Sequence, residues 1–211
     1  MTKRHRVFRI GLLIALQLGV AGCIATWARV EPDTRVVKND YYSVTAPVGW
    51  MRLEGSVTTS LSVKRGNSQI SVPAQRLTLT RDGLNLDRIE VTYLASANAF
   101  PHINKELKAS MLPPEIAQSY IADIKAAGGL ENLKVVSNKP RVIAGEPGFE
   151  VLVEYYTPRG LKFQRLTYGF ASNSGMYLLW FEAPSIHYFG TYQEVFNRVV
   201  TSFKPTVTSK A

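Results

Sequence analysis

The fold is decided by the stretch GFEVLVEYYTPRGLKFQRLTYGFASNSGMYLLWF, residues 148–181, which holds three strand-like runs separated by two turn signals. The turn signals are Pro158-Arg159-Gly160 and Ser172-Asn173-Ser174-Gly175, both built from residues that turns favour. The first run alternates in character, as expected of a strand whose successive side chains point to opposite faces. Its apolar face carries Phe149, Val151, Val153 and Tyr155, and its polar face carries Glu150 and Glu154. The stretch therefore predicts a meander of three antiparallel strands.

The third run of this stretch, residues 176–181, is apolar on both faces. Met176, Leu178 and Trp180 lie on one face, and Tyr177, Leu179 and Phe181 lie on the other. A strand buried between two layers explains this pattern. A second interpretation stays open, in which aromatic side chains line a ligand groove: Trp50, Tyr155, Tyr156, Tyr168, Phe170, Tyr177, Trp180 and Phe181.

Two helices and several more strands surround the meander in the sequence. The first helix is predicted from Pro114 to Gly128-Gly129, because proline suits the first helical position and glycine suits the end. Its apolar stripe is Ile116, Tyr120, Ile121, Ile124 and Ala127. The second helix is predicted from a capping box of Thr191 and Glu194 to Pro205. Its stripe is Tyr192, Val195, Phe196, Val199 and Phe203. Further strands are predicted at residues 57–64, 76–80, 86–94, 133–136 and 141–144.

The order of these elements predicts an α+β domain, and its two ends resemble a known fold. Tyr42-Ser43-Val44-Thr45-Ala46-Pro47-Val48-Gly49-Trp50 and the closing Ser202-Phe203-Lys204 are similar to the PsbP-like fold, which a nuclear-import factor that binds the Ran GTPase shares. The resemblance implies a mainly antiparallel β-sheet flanked by helices, an α/β/α sandwich. Because known relatives with this fold mostly act as binding or assembly subunits, it also implies a binding role.

The amino terminus has the three parts of an export signal. Four basic residues precede an apolar run from Ile10, and the small residues Ala21 and Gly22 precede Cys23. The run Leu18-Gly19-Val20-Ala21-Gly22-Cys23 resembles the lipobox of bacterial lipoproteins. The resemblance implies cleavage before Cys23 and acylation of that residue, so that membrane lipid is the first partner. An uncleaved membrane anchor over residues 10–28 is the alternative, since about 20 apolar residues span a bilayer.

The lipobox divides the chain into a signal peptide at 1–22, a tether at 23–40, the PsbP-like domain at 41–205 and a tail at 206–211. Three segments within the domain are similar to a set of uncharacterised bacterial lipoproteins: Leu79-Thr80-Arg81-Asp82-Gly83-Leu84, Met111-Leu112-Pro113-Pro114-Glu115 and Ala144-Gly145-Glu146-Pro147-Gly148-Phe149. By resemblance to lipoprotein sorting in diderm bacteria, Ile24 after the cysteine favours the outer membrane, facing the periplasm.

Composition narrows the chemistry. The whole chain has a net charge of +9, but the four basic residues of the leader leave 21 basic and 16 acidic residues after it. These are scattered, so we expect weak attraction to anionic lipid rather than nucleic-acid binding. Cys23 is the single cysteine, so no disulfide is expected. His102 and His187 are the histidines that follow the leader, and their spacing predicts no metal site, no catalytic triad and no cofactor.

Two places are candidate contact sites. The segment from Ser96 to Leu112 carries His102, Lys105 and Lys108, and a long ordered loop of this kind often binds a partner. The alternative is a solvated crossover. Arg81 and Asp82 lie at a turn and present a pair of charges to a partner, although Asp-Gly is also favoured in turns for purely conformational reasons.

The sequence therefore predicts a membrane-tethered bacterial lipoprotein without enzymatic activity, which binds or helps to assemble a protein complex of the cell envelope. Two alternatives remain open. One is a small-molecule or lipid-binding lipoprotein with an apolar pocket beneath the meander. The other is an enzyme whose site is built from Asp, Glu and Tyr. No signal in the sequence sets the oligomeric state.

Overall fold

A computed structural model describes residues 26–55 and 59–206 of the chain. The strands are β1 Thr26–Arg29, β2 Val36–Lys38, β3 Tyr42–Thr45, β4 Met51–Glu54, β5 Ser60–Arg65, β6 Ser68–Pro73, β7 Gln75–Thr80, β8 Arg88–Ala95, β9 Glu131–Ile143, β10 Glu146–Tyr156, β11 Lys162–Ala171, β12 Gly175–Pro184 and β13 Lys204–Pro205. The helices are α1 Pro113–Ala127 and α2 Tyr188–Ser202, with a 3-10 turn at Ser96–Asn98.

Eight strands form one antiparallel sheet in the order β1-β4-β7-β8-β12-β11-β10-β9. The predicted meander of β10, β11 and β12 is confirmed, and its register places Leu152 opposite Leu166 and Leu166 opposite Phe181. A second sheet has the order β13-β3-β2, and β5 pairs with β6 as a separate hairpin. Helix α1 packs on one face of the large sheet and α2 on the other, which is the α/β/α arrangement expected from the sequence.

Two apolar cores meet at β12, in which every residue is buried. Tyr177, Leu179 and Phe181 face α2 and the small sheet, where Phe181 and Phe196 lie 5.9 Å apart between ring centroids. Met176, Leu178 and Trp180 face α1. The prediction of a strand buried on both faces is confirmed, because a helix covers each side of it.

The predicted tether at residues 23–40 needs correction, because most of it belongs to the domain. Strand β1 pairs with β4, and β2 pairs with β3. Val30 is only 1% exposed and its backbone N–H donates to the Trp50 carbonyl at 2.8 Å. These strands are four and three residues long, too short for alternation to reveal them. Residues 1–25, which include the predicted leader and Cys23, and residues 207–211 of the predicted tail lie outside the described residues.

Three other strand predictions change. The strands predicted at 133–136 and 141–144 are one continuous strand, β9, with an irregularity in its pairing with β10 between Leu152 and Val153. The strand predicted at 57–64 begins at Ser60 in the described part of the chain, and its partner β6 was not predicted. Strand β6 does alternate, with Ile70 and Val72 two positions apart, but the pattern extends over only six residues.

The first helix was predicted well and the start of the second was wrong. Helix α1 ends before Gly128, which has a φ of 76°. Helix α2 begins at Tyr188, three residues before the predicted capping box. The Thr191 hydroxyl donates to the His187 carbonyl one turn back, at 2.7 Å, so it is an interior residue of the first turns rather than a cap.

Candidate functional site

Five charged side chains form a layer on the face of the large sheet that α1 covers. We call Arg76, Arg88, Arg165, Glu90 and Glu182 the arginine cluster. The register explains its centre, because Glu182 of β12 lies directly between Arg88 of β8 and Arg165 of β11. Opposite charges at such cross-strand positions attract each other. Four of the strands thus contribute side chains that point to the same face.

Glu182 is the hub of the cluster. Its carboxylate accepts hydrogen bonds from Arg165 Nε and from the Tyr155 hydroxyl, each at 2.8 Å, and it forms a further short contact with Arg88 Nη2. Burial by itself raises the pKa of Glu182, but the guanidinium groups of Arg165 and Arg88 outweigh this and lower the pKa to about 2. The carboxylate therefore stays ionised inside the fold.

Glu90 is equally well satisfied. Arg76 donates to it from Nη2 at 2.8 Å and from Nε at 3.2 Å, and the Thr92 hydroxyl donates at 3.0 Å. Burial opposes ionisation of Glu90, but Arg76 outweighs burial and lowers the pKa of Glu90. Both buried carboxylates thus have their oxygens occupied by donors.

A cavity of about 230 Å³ lies between the arginine cluster and the second half of α1. Its floor includes Arg88, Arg165 and Trp180, and its walls include Leu61 of the β5–β6 hairpin and Ile124 of α1. The guanidinium carbons of Arg88 and Arg165 lie 4.5 and 4.6 Å from the Trp180 ring centroid, within the range of cation–π attraction. The cavity combines an apolar body with a charged end, at which arginines and carboxylates are paired. We call it the arginine cavity.

The predicted contact loop, residues 96–112, is anchored to α1 at several points, while residues 104–106 and 108–110 are exposed. Phe100 is fully buried and Leu107 is 7% exposed. The His102 ring Nδ1 lies 3.0 Å from Asp123 Oδ2, and Lys105 Nζ donates to the Ser119 hydroxyl at 2.7 Å. These bonds use two of the three predicted contact residues to fix the loop.

Lys108, the third predicted contact residue, is exposed, and its side chain makes no hydrogen bond or ion pair within residues 26–55 and 59–206. It lies at a groove of about 360 Å³ where the loop meets the β9–β10 and β11–β12 turns. Leu112 is 65% exposed, and Val142 is 70% exposed and lies directly opposite the groove residue Pro147. We call this region the loop-end groove.

Arg81 and Asp82, the other predicted pair, are tied to their own domain. Arg81 Nη1 donates to the Gly49 carbonyl at 2.8 Å, and the Tyr192 hydroxyl donates to Asp82 Oδ2 at 2.6 Å. The hydrogen bond to Asp82 raises the pKa of Tyr192 to about 12. These contacts give Arg81 and Asp82 a structural role within the domain, and their role in partner contact stays a prediction.

His187 precedes α2 with a φ of 71° and stacks edge-on with Tyr188. In the part of the chain that the structure describes, no three His, Cys, Asp or Glu side chains are placed to hold a metal ion. None of the described helices is both long and apolar enough to cross a bilayer.

Sequence reasoning missed the arginine cluster, although a signal for it was present. The turn at residues 172–175 fixes the β11–β12 register, and that register pairs Arg165 with Glu182. Single charged residues at inward positions of otherwise apolar strands are the usual sign of a buried ion pair.

The architecture is that of the PsbP-like fold. A solved structure with this fold is cyanobacterial PsbP (CyanoP) from Synechocystis sp. PCC 6803, 16% identical, with a TM-score of 0.50 over 89% of this chain and 96% of that chain. The Ran-binding protein Mog1p of Saccharomyces cerevisiae is 7% identical, with a TM-score of 0.41 over 87% and 96%. LpqN of Mycobacterium tuberculosis, involved in cell envelope biogenesis, is 11% identical, with a TM-score of 0.36 over 88% and 86%. No family model and no curated protein matches the chain.

Proposed function

We propose that this chain is a non-enzymatic, protein-binding lipoprotein of the cell envelope, held to the membrane through an acylated Cys23. The observation that carries the proposal is the position of β1, which begins at Thr26, three residues after that cysteine. Three extended residues span at most about 11 Å. Acylation would therefore hold the folded domain beside the lipid head groups, where its partner would also be a membrane-associated protein. In a diderm host, Ile24 favours the periplasmic face of the outer membrane.

The loop-end groove is the surface that suits such a partner. Leu112 and Val142 present apolar side chains to solvent, and exposed apolar groups beside a concave surface are typical of protein contact sites. Lys108 adds a positive charge without an ion-pair partner among the described residues. We therefore expect the partner segment to carry apolar side chains next to an Asp or Glu.

Site-specific photo-crosslinking in the native membrane tests this surface. The full lipidated chain would carry the crosslinker at Leu112 or at Val142, and the matched control would carry it at Ile186. Ile186 is 78% exposed and follows the far end of β12, so it is as apolar and accessible as the test positions. We expect one envelope protein to be captured from Leu112 and Val142 and not from Ile186. Equal capture from Ile186, or no capture at all, would overturn the assignment of the groove.

A charge reversal at Lys108 tests whether the partner segment carries an acidic residue. Lys108→Glu should reduce capture from Leu112, because it places like charges together. Lys105→Glu is unsuitable, since Lys105 holds Ser119 of α1 and its loss would disturb the loop itself. Unchanged capture by the Lys108→Glu chain would remove the acidic feature from the expected partner.

Lipidation has its own test, independent of the groove. Cells fed a clickable palmitate analogue should label the wild-type chain and not the Cys23→Ser chain. Intact mass should also show that residues 1–22 have been removed. Labelling that persists without Cys23, or retention of the leader, would favour the membrane-anchor alternative.

A further inference from the structure

We infer that the arginine cavity binds a small organic carboxylate with an apolar body. This inference is independent of the membrane anchor and of the loop-end groove, because it concerns the opposite half of α1. It rests on three features of the cavity: its surplus of hydrogen-bond donors, the arrangement of its charges and its apolar walls.

The donor surplus is concentrated at Arg88. A guanidinium has five N–H groups. Within the described residues Arg88 donates one hydrogen bond, from Nη2 to Glu182, and its buried Nε has no hydrogen-bond partner. The Arg88 side chain is 29% exposed, against 17% for Arg76 and 12% for Arg165. Because Nε is itself buried, a ligand would reach the remaining N–H groups on the Nη atoms of this side chain, the most exposed of the three.

The acceptors of the cavity are already occupied, so a ligand must bring its own. Glu90 and Glu182 are saturated by arginine, threonine and tyrosine donors. Asp123, also on the wall, accepts the backbone N–H of His102 at 2.7 Å and that of Ile103 at 3.1 Å, and contacts the His102 ring.

The arrangement of the charges leaves a place for an anion beside Arg88. Asp123, the third carboxylate at the cavity, is held by the backbone N–H groups of His102 and Ile103 and by the His102 ring, and no arginine donates to it. A carboxylate matches both the charge of Arg88 and the planar spacing of its N–H groups.

The size and lining of the cavity limit the size and polarity of the part of the ligand that lies beyond its carboxylate. Its volume of about 230 Å³ lies below the roughly 300 Å³ at which pockets for drug-sized ligands begin. Leu61, Leu94, Ile124 and Leu178 give it apolar walls, and Trp180 offers an aromatic surface. A ring or a short alkyl chain fits this lining, so benzoate and hexanoate are suitable probes.

The test is to titrate the full mature chain carrying Cys23→Ser with each carboxylate. Binding is monitored through the indole N–H signals in NMR spectra and by calorimetry. We expect saturable binding of benzoate or hexanoate that shifts the Trp180 signal. Benzylamine, which carries the opposite charge, and hexanol, which is uncharged, are the controls and should not bind. Arg88→Gln should weaken carboxylate binding at least about tenfold, as expected for the loss of a charge-assisted hydrogen bond. Arg141→Gln, a change at an arginine whose side chain is 53% exposed and lies outside the cluster, should leave it unchanged.

A second variant keeps the inference testable if Arg88→Gln fails to fold. Leu61→Trp narrows the cavity from its partly exposed wall and leaves the arginine cluster intact, so it should also abolish binding. The inference is overturned if neither carboxylate binds, if benzylamine binds as well as benzoate, or if both Arg88→Gln and Leu61→Trp bind normally while folded. None of these results bears on the envelope partner, which is tested by crosslinking.

Discussion

The Tyr155 hydroxyl donates to the Glu182 carboxylate at 2.8 Å and thereby links β10 to β12 across the intervening strand. Arg165 of β11 and Arg88 of β8 bind the same carboxylate. One side chain thus connects four neighbouring strands on the face that α1 covers. The centre of the sheet is held by polar contacts on this side and by aromatic packing on the other.

We expect Glu182→Gln to destabilise the fold strongly. Removing the carboxylate charge leaves Arg165, which is 12% exposed, and the partly exposed Arg88 without their partner, and breaking a buried ion pair in this way typically costs about 3–5 kcal/mol. Urea unfolding of the Cys23→Ser chain would measure the loss. Glu154→Gln is the matched control, since Glu154 pairs with the half-exposed Lys162 and such pairs contribute about 0–1 kcal/mol. Equal losses in the two variants would show that the cluster does not stabilise the sheet.

The lowered pKa of the Glu182 carboxylate predicts that the free energy of unfolding decreases at acidic pH. The folded-state pKa of Glu182, about 2, lies below its ordinary value of 4.5, so its contribution is full above pH 4.5 and is lost as the pH falls toward 2. The difference corresponds to about 3 kcal/mol. Glu90 acts in the same direction, whereas Asp87, whose pKa burial raises, acts in the opposite one.

Comparing two chains isolates the contribution of Glu182. The free energy of unfolding of the wild-type chain should fall more steeply between pH 5 and about pH 2 than that of Glu182→Gln, because only the wild type must protonate this group. Parallel curves for the two chains would contradict the lowered pKa.

The glycines of the sheet give a prediction about packing. A Cβ added at Gly148 would lie 2.3 Å from the Gly169 carbonyl oxygen, whereas one added at Gly190 in α2 would meet nothing within 4 Å. Gly148→Ala should therefore destabilise the fold by roughly 1–3 kcal/mol or more, because backbone cannot move aside easily. Gly190→Ala should stabilise it by about 0.5–1 kcal/mol through helix propensity. Thermal unfolding would separate the two, and a stabilised Gly148→Ala chain would contradict the close approach of β10 and β11.

The sequence predicted those parts of the fold whose signals are long and local. The meander follows from strand alternation and clear turn residues, α1 from its helical apolar stripe and end signals, and the double burial of β12 from a run that is apolar on both faces. Strands β1 and β2 escaped prediction because they are short and pair with strands β4 and β3, and neighbouring Val30 likewise bonds to Trp50. The start of α2 was misplaced because Thr191 and Glu194 have the spacing of a capping box but lie inside the helix.

The candidate sites were predicted less completely for a related reason. Lys108 was identified from its loop, and the structure leaves it exposed. His102 contacts Asp123, and the exposed Lys105 donates to Ser119; both contacts depend on how α1 packs beside the loop. The arginine cavity exists only after β7, β8, β11 and β12 have been brought together. Charges far apart in sequence give no sign of a shared cavity until the register of the strands is known.

The proposed acylation of Cys23, only three positions before Thr26 in the sequence, predicts that partner capture depends on membrane proximity. Inserting fifteen Gly and Ser residues between Ala25 and Thr26 would give a coil of roughly 20 Å and allow the domain to move away from the head groups. We expect this chain to keep its lipid label and its thermal stability, and to lose most of the crosslinking from Leu112. An inserted segment of the same length after Thr206, at the other end of the described chain, should leave crosslinking intact. If the insertion before Thr26 captures the partner as well as the wild type does, the partner is not confined to the membrane surface and the role proposed for β1 is wrong.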